Sequence, residues 1–277
     1  MTAEAAPAAG QEMSYVYAVC RAGTPAETAL AGQPGLEGAP LRAVRAGELA
    51  ALVSSVPSAS YGTEGVKAQM EDLARLEVLA RTHHAVVEAA YEHAAVLPMR
   101  LVTVYLDDGR VGEMLGAREP EFSALLARLE GHVELGVKIY ADPREAVAVS
   151  GRAPETDTAD TAASPGRAYL QRRRSQQRNH RETYRAAGSV AAEVPARVDG
   201  IAKAHVTHRP QQGDLAKAAG ENILNDAYLV QDAQADAFRA ALAGLADDVP
   251  GVRVEITGPW APYSFATPPA AAEGGAR

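Results

Sequence analysis

From Ser14 to Cys20 apolar and polar positions alternate, with Tyr15, Tyr17 and Val19 on one face. A period of two is that of a strand with one buried side. Apolar stretches over 41–45 and 49–56 predict a second and a third strand joined by a turn at 46–48. Residues 21–38 are rich in Gly, Pro and Thr and read as a loop. The period then changes. Val66, Met70, Leu73, Leu76, Ala80, His83, Val87 and Ala90 recur at threes and fours, which predicts one long helix over 64–95 with a single apolar face. Residues 96–105 read as a strand, 119–130 as a helix with Phe122, Leu125, Leu126 and Leu129 inward, and 132–140 as the strand that closes this sheet.

Two side chains sit oddly in that pattern. Arg100 lies among apolar neighbours and needs a partner, and Glu134 on the closing strand is the expected one, across adjacent strands. Pro98 removes a ladder donor, so its end of the strand is expected at an edge or a bulge. His83, inside the apolar helix face, reads as a hydrogen-bonded core residue. The order of elements points to an α+β domain over 13–147, a variant of the ferredoxin-like fold.

Residues 148–164 carry Ala, Thr, Asp, Pro and Gly without an apolar stripe, the composition of a linker. A second α+β domain is expected over 165–265. It begins with a long helix at Pro165, whose stripe of Ala187, Ala191, Val194, Val198 and Ile201 is interrupted at Gly188 and Pro195. Strands over 204–208 and 222–230, one further helix over 233–245 and a strand over 252–257 make up a small sheet. Gly258-Pro259 is expected to stop that last strand. Residues 1–12 and 266–277 have no periodic pattern and are expected to be disordered.

Charge changes the picture at one place. The 277-residue chain has a net charge of −8, yet 167–185 holds seven arginines against one glutamate, a local +6 that leaves −14 for the rest. Arg172, Arg173 and Arg174 are candidate contacts for an acidic partner. With Tyr169 and Tyr184 interleaved, the alternative is a nucleic-acid-binding helix, which the acidic balance of the chain opposes. The only Trp of the chain, Trp260, is followed closely by Tyr263 and Phe265, in a protein with 5% aromatic residues. These three read either as a tail that plugs a core or as a partner-docking tail.

The single Cys20 forms no internal disulfide. No apolar run reaches the roughly 20 residues that span a bilayer, and the N-terminus lacks the pattern of a signal peptide. A soluble cytoplasmic protein is expected. There is no phosphate-binding glycine loop, dinucleotide fingerprint, zinc motif or nucleophile elbow. No catalytic residue, metal or cofactor is implied.

Several stretches, in order, resemble the gas vesicle protein L/F family. His83-His84-Ala85-Val86-Val87-Glu88 resembles the family's helix, and residues 96–105 its following strand. In the family that strand usually carries Pro-x-Arg followed by an aromatic residue, Gly and Thr. Here these are Pro98, Arg100, Leu101, Val102 and Thr103. Glu134-Leu135-Gly136-Val137-Lys138 resembles the closing strand. Pro165-Gly166-Arg167-Ala168-Tyr169-Leu170 resembles the start of the second domain. Asn225-Asp226-Ala227-Tyr228-Leu229-Val230 and Gly258-Pro259-Trp260-Ala261-Pro262-Tyr263-Ser264-Phe265 resemble its end. The resemblance implies two α+β domains, the first ferredoxin-like, and a non-enzymatic accessory role in building gas vesicles. It also implies contact with the major shell protein and with other accessory proteins, at the gas vesicle.

Overall fold

The computed structural model describes residues 12–149, 165–210 and 220–267. They fall into two compact units, one of residues 12–132 with 260–267, the other within Val133–Pro259. The protein is α+β with two antiparallel sheets.

In the first unit, β1 (Glu12–Arg21) is the central strand, buried from Met13 to Cys20. It pairs antiparallel with β3 (Leu49–Pro57) on one side. On the other it pairs with β4 (Val96–Pro98) and then β5 (Val104–Tyr105). β2 (Arg42–Ala46) pairs with β3, so the order is β2-β3-β1-β4. Pro98 therefore lies on an edge strand, where a missing N–H donor is tolerated. The segment 21–38, read as a loop, contains a short helix α1 (Pro25–Leu30). Its buried Glu27 accepts a hydrogen bond from the Arg45 guanidinium at 2.6 Å and another from the Gly23 amide.

The long helix expected over 64–95 is two helices, α3 (Thr63–Glu71) and α4 (Leu73–Tyr91), preceded by a single turn, α2 (Ser58–Tyr61). Asp72 causes the last break. Its carboxylate accepts the N–H groups of Ala74 and Arg75 at 3.0 and 3.2 Å, which caps a new helix and competes with continuing the old one. The buried face of α4 is Leu79, His83, Val86, Val87 and Ala90, while Met70 and Leu73, placed inward by the pattern, are exposed. A helix α5 (Asp108–Ala117) follows β5, in a stretch where the sequence pattern predicts no element. Asp107 caps it by accepting the Arg110 amide at 2.8 Å. Asp108 ties it to the sheet through Arg42, at 2.7 and 2.9 Å, and Ser14, at 2.5 Å. The Arg42 hydrogen bonds hold its carboxyl below the ordinary range, more than burial raises it. Helix α6 (Glu119–Leu129) buries the expected Phe122, Leu125, Leu126 and Leu129 and packs on β1 and β4.

The second unit holds β6 (His132–Ala141), α7 (Pro143–Val149), α8 (Pro165–Arg197), β7 (Ala202–Thr207), β8 (Glu221–Gln231), α9 (Ala235–Leu242) and β9 (Val252–Trp260). Its sheet has the order β7-β8-β6-β9. Gly136 on β6 lets β9 approach. A Cβ there would stand 2.5 Å from the Thr257 hydroxyl, closer than side chains come. α8 runs unbroken through Gly188, with Pro195 in its last turn, and buries Thr183, Ala187, Val190 and Val194. α9 buries Phe238, whose ring lies 5.3 Å from that of Tyr228.

Three further expectations change. β6 does not close the first sheet; it lies between β8 and β9 in the second, so the units divide at 132/133 rather than inside 148–164. Arg100 follows β4 in a turn and Glu134 belongs to the other sheet, so the two do not pair across adjacent strands. β9 does not stop at Gly258-Pro259 but continues to Trp260 through a cis Gly258–Pro259 bond. Proline is compatible because β9 is an edge strand. Part of the proposed linker, 150–164, lies outside the described residues, as do 1–11 and 268–277 of the two ends expected to be disordered. Glu12 already opens β1.

Candidate functional site

The stretch from Pro98 to Thr103 does not form the continuous strand its alternation predicts. Between β4 and β5 it bulges away from β1, held at both ends: the Met99 amide donates to the Tyr17 carbonyl at 2.9 Å and the Val16 amide to the Thr103 carbonyl at 2.9 Å. Inside the bulge Val102 has φ 64°, in the left-handed region that a β-branched residue rarely occupies.

A buried hydrogen-bond chain fixes this bulge to α4. His83 Nε2 lies 3.1 Å from the Met99 carbonyl, which can only accept, so Nε2 carries the proton. Nδ1 is then an acceptor, and the Tyr15 hydroxyl donates to it at 2.9 Å. The Tyr15 oxygen in turn accepts the Val102 amide at 3.1 Å. Burial favours the neutral imidazole and pushes the His83 pKa down to about 4. Burial likewise raises the Tyr15 phenol far above its ordinary range, and the Cys20 thiol upward. Both ring nitrogens of His83 are engaged and Cys20 is buried, so the cluster is built to hold structure, not to activate a nucleophile. Tyr17 stacks on His83 with ring centroids 5.7 Å apart, and Tyr61 meets Tyr15 edge-on at 6.0 Å. Among the described residues no group of His, Cys, Asp and Glu is placed to hold a metal ion.

The aromatic tail closes over the same cluster. Ala261 is fully buried in the core around Tyr15 and Tyr17, and its amide donates to the Glu88 carboxylate at 3.0 Å. The Tyr263 ring lies 6.4 Å from His83 and 5.9 Å from His84. Phe265 is 3% exposed, whereas Trp260, edge-on to His84 at 5.5 Å, remains 42% exposed. The tail is thus a core plug at Ala261 and Phe265, and only Trp260 keeps a large accessible face.

The arginine segment belongs to the first half of α8. Arg173, Arg174, Arg178 and Arg181 are exposed, with Arg178 3.8 Å from Glu182. Arg172 lies in the helix, but its side chain is outside the described residues. Nearer the packed half, the Tyr184 hydroxyl donates to Glu221, and burial with that carboxylate pushes its pKa up to about 12.

Of the residues singled out in the sequence, the structure brings together His83, the stretch after Pro98 and Tyr263. Tyr15, Tyr61, His84 and Glu88 complete the site without having been singled out. The four-residue spacing of His84 and Glu88 was a usable signal, since it places both on one helix face; nothing local marks Tyr15 or Tyr61.

The family described as gas vesicle synthesis protein GvpL/GvpF matches residues 13–267. The chain belongs to the GvpL/GvpF family. It is 38% identical to gas vesicle protein L of Streptomyces sp. (strain CB03234) over 92% of each chain. It is 29% identical to gas vesicle protein F of the same strain, over 91% of this chain and 98% of that one. The fold is that of the crystal structure of GvpF from Anabaena sp. PCC7120, with a TM-score of 0.64 at 17% identity, covering 94% of this chain and 98% of that one. GvpF from Microcystis aeruginosa gives 0.61 at 16% identity, covering 92% and 99%.

The left-handed backbone at Val102 is one that a glycine adopts without strain. Val102→Gly should therefore leave stability unchanged or raise it by up to about 1 kcal/mol. Relief of roughly 1–3 kcal/mol of strain offsets the lost half-buried side chain and the extra unfolded-state entropy. Urea denaturation checks this, and a loss above about 1 kcal/mol would show that the strain is not relieved.

Proposed function

We propose that this chain is a non-enzymatic accessory factor of gas vesicle assembly that binds the major shell protein and other accessory proteins. The observation that carries the reading is family membership across residues 13–267, from the first strand through the aromatic tail. Physical chemistry makes the role coherent. A shell built from a small, very apolar protein exposes subunits that aggregate unless a partner covers them. Trp260, Arg173 and Arg174 are predicted contact residues that remain accessible, while Phe265 is taken up by the core. The place of action is the gas vesicle in the cytoplasm; among the described residues no helix is long and apolar enough to cross a membrane. We read the first unit as a ferredoxin-like variant, supported by the order β1-α1-β2-β3-α4-β4 and an antiparallel sheet ordered β2-β3-β1-β4.

Co-purification with the major shell protein at low and high salt tests the role. Retention at both salts is the expected result and indicates apolar contacts. Binding lost at high salt would move the contact to the arginines of α8. No binding at either salt would overturn the shell-protein part of the proposal.

A further inference from the structure

Large apolar side chains are exposed at three places among the described residues: Met70, Leu73 and Val78 on α3 and α4, Tyr169 and Leu170 on α8, and Trp260. The first two patches have opposite charge. Around Met70 and Leu73, Glu64, Glu71 and Asp72 are exposed against Lys67 and Arg75, and Arg75 is paired with Asp72 at 3.7 Å, which leaves Glu64 and Glu71 as the acids facing outward. Around Tyr169 and Leu170 stand the exposed arginines of the +6 segment.

The α8 patch is also unsupported by packing. Between 169 and 182 every side chain described is exposed except the half-buried Asn179, and the first buried one is Thr183. Counted from Pro165, about 27 Å of helix thus precedes the packed half, at 1.5 Å per residue. A helix exposed on all sides gains no stability from burial, so a partner that covers it would hold it. Both patches are 53–79% exposed at their apolar side chains, so neither is already satisfied.

We infer that the cationic first half of α8 docks on the acidic, apolar junction of α3 and α4 of a second copy of this chain. Tyr169 and Leu170 meet Met70 and Leu73, and Arg173 and Arg174 face Glu64 and Glu71. Two α8 helices cannot pair with each other, because each segment carries +6. The contact joins different patches on the two copies, so a pair held by one contact still offers one free helix and one free junction. Repeated head to tail, the contact builds an open chain of copies wherever its rotation does not close a ring. It is also salt-sensitive, because the arginines and carboxylates are exposed.

Sedimentation of the full chain tests this. At low salt the mean mass should rise with concentration without a plateau, and it should return to that of the monomer in about 0.5 M salt. Arg173→Gln/Arg174→Gln and Glu64→Gln/Glu71→Gln change only exposed positions, create no new charge pair between the two variants and should keep the fold, which circular dichroism verifies. Each pair should weaken association about tenfold or more. The decisive sample is the mixture. The helix variant keeps its junction and the junction variant keeps its helix, so an equimolar mixture should form a dimer that grows no further. A wild-type monomer at low salt at all concentrations, a closed dimer indifferent to both charge neutralisations, or a mixture that stays monomeric would each overturn the inference.

Discussion

Lowering the pH from 7 to 4 should remove about 3 kcal/mol of stability through His83 alone. The unfolded imidazole takes a proton below about 6.5, whereas the folded one resists until about 4. Between those values the unfolded state binds more protons, so stability falls as pH falls. The contribution is fully present above 6.5, about 2 kcal/mol is gone by pH 5, and the rest is lost as pH falls through about 4. The cause is geometric. Met99 requires a donor at Nε2 and Tyr15 requires an acceptor at Nδ1, so a second proton breaks the chain that also holds the Val102 amide. Urea denaturation from pH 7 to pH 5 should show this slope, and His83→Gln, which cannot titrate, should flatten it. An equal slope in both proteins would mean that carboxylates, not His83, carry the acid sensitivity.

Phe265→Ala should lower stability by about 3–5 kcal/mol, the range for emptying a buried aromatic site. Trp260→Ala should change it by about 1 kcal/mol or less, since that ring is 42% exposed and rests mainly on His84. The two substitutions separate the two readings of the aromatic tail. If it were a free docking arm, both variants would be as stable as wild type in thermal unfolding. If all of it were core, both would fall together. The expected pattern is a large loss at Phe265 and a small one at Trp260, with any loss of partner binding at constant stability confined to Trp260.

Much of the element content was legible in the residues. The alternation at Tyr15, Tyr17 and Val19 found β1, and the spacing of Phe122, Leu125, Leu126 and Leu129 found the buried face of α6. His83 was readable as a core histidine because it lay in an apolar stripe. Breaks were harder. Asp72 looked like one polar residue in a long helix, and whether such a carboxylate caps a new helix or points to solvent depends on how the chain turns around it. The α5 helix was missed because Asp107-Asp108-Gly109 suits a turn and a capped helix start equally. The missed residues of the site, Tyr15 above all, carry no local mark, since their partners lie 68 and 87 positions away.

By itself the sequence determined the strands and helices with regular periods, the uneven charge of 167–185 and membership of the gas vesicle family. These are written in local order, which needs no knowledge of neighbours. The tertiary structure decided which sheet β6 joins, that 260–265 folds onto the core of Tyr15 and Tyr17, and that Val102 takes a left-handed angle. A period of two says which side of a strand is apolar, not which strand lies beside it. Apart from proline, every residue offers the same hydrogen-bonding groups at a strand edge, and the choice of partner is made by packing between residues far apart in the chain.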